Sequence, residues 1–356
     1  MKPMPLPISV CIIAKNEEKH LEECLKRLKP YHYEIVLVDT GSTDKTLDIA
    51  ANYTDNIFHF DWINDFSAAR NFALSKASND WILSIDCDEY LESIEEDKLR
   101  LCMDKHPRSL GRILIRSRFK EQGLTSLENS HVSRFFNRNY YCFYGAIHEQ
   151  LVPKENFPTD TYAAPIAVLH VGYDGSEEEM RAKSLRNLSL LEKELAAKGP
   201  DAYLYCQLGQ SCRKLQDYEK AYEWFQLGLA MDVDPSQDYV RTMVESYGYC
   251  LLDLKRPKEA LNLQGVYDVF ADRADFVFLM GLIYMNNGLF SEAIAEFEKS
   301  TTIKQFSVEG VNSYRANYNI GVIYECTNHP EEARTYYKKC GDFEPAKARL
   351  HFLSRH

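Results

Sequence analysis

The sequence lacks any apolar run that reaches the roughly 18 residues needed to cross a membrane. Its ten cysteines are scattered singly, without a Cys-x-x-Cys pair, which favours reduced and mostly buried thiols over disulfides or zinc. The short apolar run Ile8 to Ala14 ends in charged residues and does not have the pattern of a secretory signal. We therefore expect a cytoplasmic protein without an integral membrane segment.

Basic charge is also in short supply, with 42 Lys and Arg against 53 Asp and Glu and a formal net charge of -11. Because proteins that bind nucleic acids usually carry a basic surface, we expect no nucleic-acid partner. A chain of 356 residues that is 45% hydrophobic and 27% charged is long enough for about two folded domains.

Two phosphate-binding loops are missing as well. No Gly-x-Gly-x-x-Gly follows the first apolar segment, which disfavours a dinucleotide-binding domain, and no Gly-x-x-x-x-Gly-Lys-Ser/Thr marks a P-loop NTPase.

Residues 1–175 alternate apolar segments with amphipathic ones, which predicts strand–helix units, a parallel sheet and helices on both of its faces. The predicted strands are Ile8–Ala14, Glu34–Val38, Asn56–Phe60 and Trp81–Ile85. The predicted helices are Glu17–Leu28, one that opens near Ser42–Thr43, and Asp65–Ala77. In such sheets the ligand crevice lies beyond the carboxyl ends of the strands.

Polar clusters follow three of these strands, and their convergence is a stronger signal than any one of them. They are Lys15-Asn16-Glu17, Asp39-Thr40-Gly41-Ser42-Thr43-Asp44 and Asp86-Cys87-Asp88-Glu89. Two carboxylates on one tight turn, Asp86 and Asp88, can hold a hard divalent cation that clamps a diphosphate. The same motif also occurs as a solvated turn.

Asp39 offers a carboxylate to a base N–H or a ribose hydroxyl. The alternative is that Asp39 caps the following helix. Since Ser42 or Thr43 is better placed for that cap, we expect Asp39 to be free.

The second half of the chain has a different pattern. A charged helix at 176–198 is followed by helical hairpins in which a Gly and an Ala recur twelve residues apart: Gly209/Ala221, Gly248/Ala260, Gly281/Ala293 and Gly321/Ala333. Aromatic residues follow three of these alanines: Phe225, Phe297 and Tyr337. The pattern resembles the tetratricopeptide repeat, with a degenerate second repeat at Pro257 and Gln264, and the alternative is a generic helical bundle.

The segments ISVCIIAKNEEKHLEECL, EIVLVDTGSTDKT and FSAARNFALSKASNDWILSIDCDEYL, in this order, resemble family 2 glycosyltransferases with the GT-A nucleotide-sugar fold. The similarity covers roughly residues 6–175. It is specific, because several motifs occur in the right order with plausible spacing. The sequence is similar in particular to a subgroup with lipopolysaccharide-core transferases and peptide S-glycosyltransferases of glycocin biosynthesis. The resemblance implies a nucleotide-sugar donor, usually UDP- or GDP-linked, inversion at the anomeric carbon, and Mg²⁺ or Mn²⁺. It assigns Asp39 to the nucleoside, and Asp86 and Asp88 to the metal and diphosphate.

Further site residues follow from the same resemblance. Arg70, in the Arg70-Asn71 pair of the subgroup, is expected to pair with a phosphate or to hold a carboxylate in place. His170, within His-x-Gly-Tyr, is expected to complete the cation's ligands, with a fixed partner on its second ring nitrogen. The residues expected to bind the donor are Ala14, Asn16, Glu17, Asp39, Arg70 and Asp86.

The general base is harder to assign, because the Glu-Asp acceptor motif of many family members is not evident. Glu149 is our leading candidate and His148 the alternative, although one of them could merely orient the other. Cys87, between the two carboxylates, is expected to be structural, since inversion needs no covalent step.

The sequence thus predicts a GT-A domain at 1–175, a linking helix at 176–200 and a tetratricopeptide-repeat-like domain at 201–356. The predicted activity is metal-dependent inverting transfer from a nucleotide-sugar, most simply a UDP-sugar, to a saccharide or peptide acceptor. The repeats would bind a peptide, a protein partner or a second copy of the chain. The competing hypothesis is a repeat scaffold with an inactive transferase-like head.

Overall fold

The computed structural model describes residues 5–121, 124–172 and 177–354. The chain divides into two compact units, Met1–Ser176 and Glu177–His356. The domain boundary predicted at residue 175 lies outside the described residues. The helix predicted as a link is Glu177–Lys198, and it is grouped with the second unit.

The first unit contains ten strands and four α-helices within its described residues. The strands are β1 (Ile8–Ala14), β2 (Glu34–Asp39), β3 (Ile57–His59), β4 (Trp81–Ser84), β5 (Glu89–Ile94), β6 (Leu110–Glu121), β7 (Leu124–Asn137), β8 (Tyr141–Tyr144), β9 (Gln150–Pro153) and β10 (Thr161–His170). The helices are α1 (Leu21–Leu28), α2 (Thr46–Ala50), α3 (Phe66–Lys76) and α4 (Glu96–Lys105). A short 3-10 turn, Lys29–Tyr31, follows α1.

Eight strands form one sheet in the order β3-β2-β1-β4-β7-β6-β10-β5, and β8 and β9 form a separate two-stranded sheet. The four strands β1 to β4 are parallel, as predicted. The prediction of a parallel sheet holds for these four strands but not for the rest of the sheet, because β7 runs antiparallel to both β4 and β6, and β10 runs antiparallel to β5. Hydrophobic periodicity reports which residues are buried and carries no information about strand direction.

Apolar residues of β1 point alternately into two cores, which is why the strand is hydrophobic almost throughout. Val10 packs in the core that also holds Leu25 of α1, whereas Cys11 packs in the core that holds Ala73 of α3. Helices therefore cover both faces of the sheet. The register pairs Ala14 with Asp39, so the polar residues that follow β1 and β2 emerge side by side.

The second unit is helical in all its described residues that have regular structure. Its helices are α5 (Glu177–Lys198), α6 (Ala202–Lys214), α7 (Tyr218–Leu229), α8 (Asp238–Asp253), α9 (Pro257–Ala260), α10 (Tyr267–Phe270), α11 (Ala274–Asn286), α12 (Phe290–Thr302), α13 (Tyr314–Cys326), α14 (Pro330–Lys339) and α15 (Glu344–Leu353). A 3-10 segment, Leu261–Val266, separates α9 from α10. None of the helices in the described ranges is long and apolar enough to cross a membrane.

Close helix packing explains the recurring glycines of this unit. A Cβ added at Gly209, Gly281 or Gly321 would meet an aromatic ring within 2.4, 2.6 or 2.5 Å. These rings belong to the residues four positions after the alanine of each hairpin: Phe225, Phe297 and Tyr337. The second hairpin departs from the pattern as predicted, because Gly248 faces Leu279 and the helix that begins at Pro257 is only four residues long.

Candidate active site at the strand ends

Side-chain hydrogen bonds join the loops that follow β1 and β2. Asn16 N donates to Ser42 Oγ at 2.9 Å, and Thr43 N donates back to Asn16 Oδ1 at 2.8 Å. Glu17 N donates to Thr46 Oγ1 at 2.7 Å. These hydrogen bonds hold residues that we predicted to be helical in loops instead. Helix α1 therefore begins at Leu21 rather than at Glu17, and α2 begins at Thr46 rather than near Ser42.

Asp39 is not free, which corrects our expectation. Its carboxylate accepts hydrogen bonds from Gly41 N and Ser42 N, both at 3.1 Å, and His59 Nδ1 lies 3.6 Å away. Neither Ser42 nor Thr43 caps α2, since the residue that precedes this helix is Lys45 and it has no side-chain cap. Asp39 therefore shapes the turn after β2, and Gly41 at φ 100° makes that turn possible.

Ala14 lies beside Asp39 at the end of β1. Its carbonyl oxygen accepts from both Thr40 N at 2.9 Å and Thr40 Oγ1 at 3.1 Å. The predicted donor-binding residues Ala14, Asn16, Glu17 and Asp39 thus gather at one edge of the sheet. Their role with a nucleotide stays a prediction.

Two guanidinium groups hold the carboxylate of Asp86. Arg70 Nη2 donates to Asp86 Oδ1 at 2.7 Å, and Arg134 Nη2 donates to Asp86 Oδ2 at 3.1 Å. Burial alone would raise the pKa of Asp86, but the charges of Arg70 and Arg134 hold it well below its usual range. Asp86 is therefore an anion that both arginines orient.

Glu89 lies behind Asp86 and is almost fully buried. Its Oε2 accepts from Asp86 N at 2.9 Å, and its Oε1 lies 3.6 Å from Arg134 Nη2. Burial raises the pKa of Glu89 to about 7, although Arg134 opposes the shift. Glu89 thus fixes the turn on which Asp86 and Asp88 lie.

Arg70 connects Asp86 to Glu149, the leading candidate for the general base. Arg70 Nε donates to Glu149 Oε1, while Nη1 donates to Ser84 Oγ at 3.1 Å. Of the two roles predicted for Arg70, the structure shows the one that orients carboxylates. The Glu149 side chain is 11% exposed.

His148, the alternative base, has a left-handed backbone with φ 50°. Its carbonyl oxygen accepts from Gln150 Nε2 at 3.0 Å. The choice between His148 and Glu149 stays a prediction, although Glu149 has the described ion pair with Arg70.

Asp88 and His170 lie next to each other beside the Asp86 network. Asp88 Oδ2 is 3.4 Å from His170 Nε2, and Ser117 Oγ lies 3.3 Å from His170 Nδ1. Burial would lower the pKa of His170, but the nearby Asp88 carboxylate raises it above its usual value. Ser117 is a partner on the second ring nitrogen, as a ligating histidine needs.

Gly172 keeps this pair open. A Cβ at this position would lie 2.0 Å from Asp88 Oδ2 and 2.7 Å from His170 Nε2. An oxygen and an imidazole nitrogen that face one open point fit two of the ligands of Mg²⁺ or Mn²⁺.

The remaining metal ligands would have to come from a diphosphate and water. Among the described residues, no three His, Cys, Asp or Glu side chains converge in a metal-binding group, and both oxygens of Asp86 face arginines. A cation held by only one or two protein ligands and by substrate phosphates is the usual arrangement for Mg²⁺. The ligand roles of Asp86, Asp88 and His170 stay predictions.

Cys87 is buried between the two carboxylates, and its Sγ lies 3.6 Å from Ile13 O. Burial raises its pKa well above the usual value, so the thiol is neutral and unsuited to nucleophilic attack. All ten cysteines of the chain are free thiols.

Sequence reasoning missed Arg134 and Ser117. Both lie on strands of the β6–β7 hairpin, and they reach the site only because β7 pairs with β4 and β6 pairs with β10. Nothing in the local sequence reports such long-range pairing.

Comparison with known protein families agrees with this division of the chain. Residues 9–147 match glycosyl transferase family 2, and residues 202–233, 274–306 and 314–347 match the tetratricopeptide repeat. The first unit therefore contains a family 2 glycosyltransferase domain on a mixed α/β sheet, and the second unit contains tetratricopeptide repeats. The degenerate second hairpin falls between the matched repeats.

Curated relatives support a role in glycosyl transfer. The chain is 32% identical over 231 residues to a TPR repeat-containing protein of Synechococcus elongatus, which covers 62% of this chain and 56% of that protein. It is 28% identical over 229 residues to the SPbeta prophage-derived glycosyltransferase SunS of Bacillus subtilis, covering 61% and 52%. A shorter match, 37% identical over 91 residues, is to the lipopolysaccharide core biosynthesis glycosyltransferase LpsC of Rhizobium meliloti, covering 24% and 33%. The chain spans about half the length of the first two relatives.

Two solved structures illustrate the similarity of this chain to known folds. MamA is 23% identical with a TM-score of 0.39, covering 50% of this chain and 99% of that chain. YrrB, described as a TPR protein with an unusual peptide-binding site, is 22% identical with a TM-score of 0.41, covering 51% and 89%. At these scores the similarity carries no functional implication.

Proposed function

We propose that this protein is a metal-dependent inverting glycosyltransferase that moves a sugar from a UDP-linked donor to a glycan or peptide acceptor. The observation that carries the proposal is the chain of contacts from Glu149 through Arg70 to Asp86, beside the open Asp88–His170 pair. A base candidate and a candidate diphosphate site thus face the same strand ends, where ligands bind in sheets of this kind.

Inversion requires a single displacement in which the acceptor oxygen or sulfur forms a bond to the anomeric carbon while the bond to the diphosphate breaks. Glu149 receives the acceptor's proton in this step. Arg70 orients Glu149, because its guanidinium is anchored on Asp86 and Ser84 as well.

The donor end of the site is assigned to the loops after β1, β2 and β4. Asp39 accepts hydrogen bonds from the nucleoside, and the backbone near Asn16 and Glu17 lines the same edge. Asp88 and His170, together with Asp86, would hold the cation. When bound, Mg²⁺ or Mn²⁺ supplies positive charge next to the departing diphosphate.

Calorimetric titration of UDP, with and without Mn²⁺, tests this proposal. We expect Mn²⁺ to tighten UDP binding in the wild type, and we expect Asp88→Asn to remove that enhancement. Asp97→Asn, on the exposed face of α4, is the matched control and should bind like the wild type. If Mn²⁺ enhances binding of neither UDP nor GDP, the proposal fails.

A second candidate function is that of an interaction scaffold whose repeats bind a peptide, a protein partner or a second copy of the chain. The three matched repeats favour it, since repeat arrays present extended binding surfaces. Nucleotide-sugar turnover by the wild type and by Asp88→Ala distinguishes the two. Equal rates would favour the scaffold and defeat the enzyme.

A further inference from the structure

The candidate base Glu149 lies on a hairpin that is not part of the main sheet. Strands β8 and β9 pair only with each other among the described strands, and residues 145–149 connect them. The position of Glu149 relative to Asp86 therefore depends on how this hairpin is attached to its neighbours.

Asn71 of α3 attaches the hairpin by two hydrogen bonds to one residue. Asn71 Nδ2 donates to Phe143 O at 2.8 Å, and Phe143 N donates to Asn71 Oδ1 at 2.9 Å. A primary amide is the side chain that offers a donor and an acceptor side by side, as a neighbouring strand would. Asn71 thus takes the place of a strand partner for the edge of β8.

Other contacts from α3 reach the same connection. Phe66 N donates to Ala146 O at 2.8 Å, and Arg70 donates to Glu149. The Arg70 guanidinium also lies 5.5 Å from the centre of the Phe143 ring. Helix α3 therefore contacts the connection between β8 and β9 near its start, at Ala146, and at its end, at Glu149.

The connection needs such support, because two of its residues have left-handed backbones. Gly145 has φ 103°, which suits glycine, whereas His148 has φ 50°, which costs other residues about 1 kcal/mol or more. A strained connection keeps its shape only when the surrounding structure determines it.

Apolar packing does not fix the hairpin by itself. Phe143 packs with Ala73 and Leu74 of α3, but such contacts are not directional. Leu74 and Cys142 also line one pocket of about 330 Å³ between α3 and the hairpin. The directional contacts of Asn71 add to this packing a defined position for the backbone of Phe143.

We infer that Asn71 is a positioning residue for the transfer reaction, which sets the place of Glu149 through the backbone of Phe143. The inference rests on the proposed role of Glu149 as base. A reacting group displaced by about 1 Å lowers a rate on the order of 100-fold, so loss of Asn71 should lower kcat while donor binding persists.

Two variants and one control test the inference. Asn71→Ala removes both hydrogen bonds, and Asn71→Asp keeps the acceptor for Phe143 N should the alanine variant fail to fold. Ser75→Ala changes the same helix one turn later, where the hydroxyl donates to Phe72 O of its own helix at 2.6 Å. We expect kcat to fall 10- to 100-fold, by the order-of-magnitude effect of such displacement, in both Asn71 variants and to stay unchanged in Ser75→Ala. The KM for the nucleotide-sugar should change less than about 2-fold, since the donor site is elsewhere.

A double-mutant cycle that combines Asn71→Ala with Glu149→Gln shows whether Asn71 acts through Glu149. In a Glu149→Gln background, Asn71→Ala should lower kcat no further, and an equal fall in both backgrounds would overturn the inference. Backbone hydrogen exchange across residues 141–153 should also quicken in Asn71→Ala and not in Ser75→Ala. If Glu149→Gln is fully active, the base assignment fails, and unchanged exchange would then overturn the positioning role as well.

Discussion

The two units bury different kinds of side chain. In the first unit the buried charged residues include Asp39, Arg70 and Glu89, and those at Asp86 converge from α3, β5 and β7. In the second unit, buried Asp275 accepts from the backbone N–H groups of Ser307 and Val308 at 2.7 and 2.8 Å and lies 3.9 Å from Arg273 Nε. Buried Glu194 pairs with Lys198 on the same helix. Several buried charges from different elements converge in the first unit, whereas those of the second unit form local pairs and loop anchors, which is why we place the proposed reaction site in the first unit.

The two kinds of buried contact contribute differently to the stability of the fold. The attraction within a buried ion pair roughly offsets the free-energy cost of removing its charges from water. A network such as Glu149–Arg70–Asp86–Arg134 therefore adds little to the stability of the fold. Aromatic rings packed on glycines, as Phe297 is on Gly281, stabilise by burying apolar area. We therefore expect substitutions in the first set to lower activity and substitutions in the second to lower stability.

Glu149→Gln should give the largest effect on activity. Removal of a general base lowers kcat about 100- to 10,000-fold, because the acceptor's proton has no positioned group to receive it. The measurement is acceptor-dependent transfer at saturating donor. The control is Glu155→Gln, a nearby exposed glutamate that should leave the rate unchanged. Wild-type turnover by Glu149→Gln would remove the basis for assigning the reaction to this network.

Phe297→Ala should give the largest effect on stability. The ring is fully buried against Gly281, so its loss should lower the free energy of unfolding by about 3–5 kcal/mol, as measured by denaturant titration. Phe290→Ala, whose side chain is 39% exposed, is the control and should cost much less. We expect nucleotide-sugar turnover per folded molecule of Phe297→Ala to match the wild type, and a loss comparable to that of Glu149→Gln would contradict the division of roles.

Gly172→Ala should have an intermediate effect. Its Cβ would push Asp88 away from His170, which should weaken Mn²⁺ binding in the presence of UDP about 10-fold, the scale of changes around a ligand set. Electron paramagnetic resonance of free Mn²⁺ measures this affinity without any turnover. Gly265→Ala has open space around its Cβ and should leave Mn²⁺ binding unaltered. Unchanged affinity in Gly172→Ala would argue against a cation at this pair.

Glu296→Gln should have the smallest effect, and it concerns pH. Burial raises the pKa of Glu296 above its usual value, although the Tyr267 hydroxyl at 2.5 Å and Lys299 oppose the shift. The folded chain therefore binds this proton more tightly than the unfolded chain. The resulting stability is complete below the ordinary pKa of a glutamate and is lost as the pH rises through the raised value.

Thermal unfolding between pH 4 and pH 8 measures this contribution. The stability of the wild type relative to Glu296→Gln should fall as the pH rises. Glu298→Gln is the matched control, because Glu298 also accepts from a tyrosine hydroxyl, that of Tyr336 at 2.5 Å, but is exposed. The same pH trend in both variants would show that burial is not its cause.

Local patterns were enough to predict some of the elements that carry the site. Strand β1 lies at the predicted residues Ile8–Ala14, and α3 differs by one residue at each end from the predicted Asp65–Ala77. The free thiols were also predicted from the absence of cysteine clusters. These features depend on periodicity and composition, which the sequence states directly.

Features that depend on long-range pairing could not be predicted. The antiparallel course of β7 brings Arg134 to Asp86, and no spacing within the chain reports that contact. The hydrogen bonds of Asp39 were missed for a local reason, since a side chain that caps a helix and one that shapes a turn leave the same sequence pattern.

Metal-dependent turnover of nucleotide-sugars without acceptor tests the central claim most directly. A panel of UDP- and GDP-sugars with Mn²⁺ would be incubated with the wild type, Asp88→Asn and Phe297→Ala below the unfolding temperature of each. The account predicts release of the nucleoside diphosphate by the wild type and by Phe297→Ala, and at least 100-fold slower release by Asp88→Asn, the scale on which such charge stabilisation acts. Equal rates for the wild type and Asp88→Asn would contradict it.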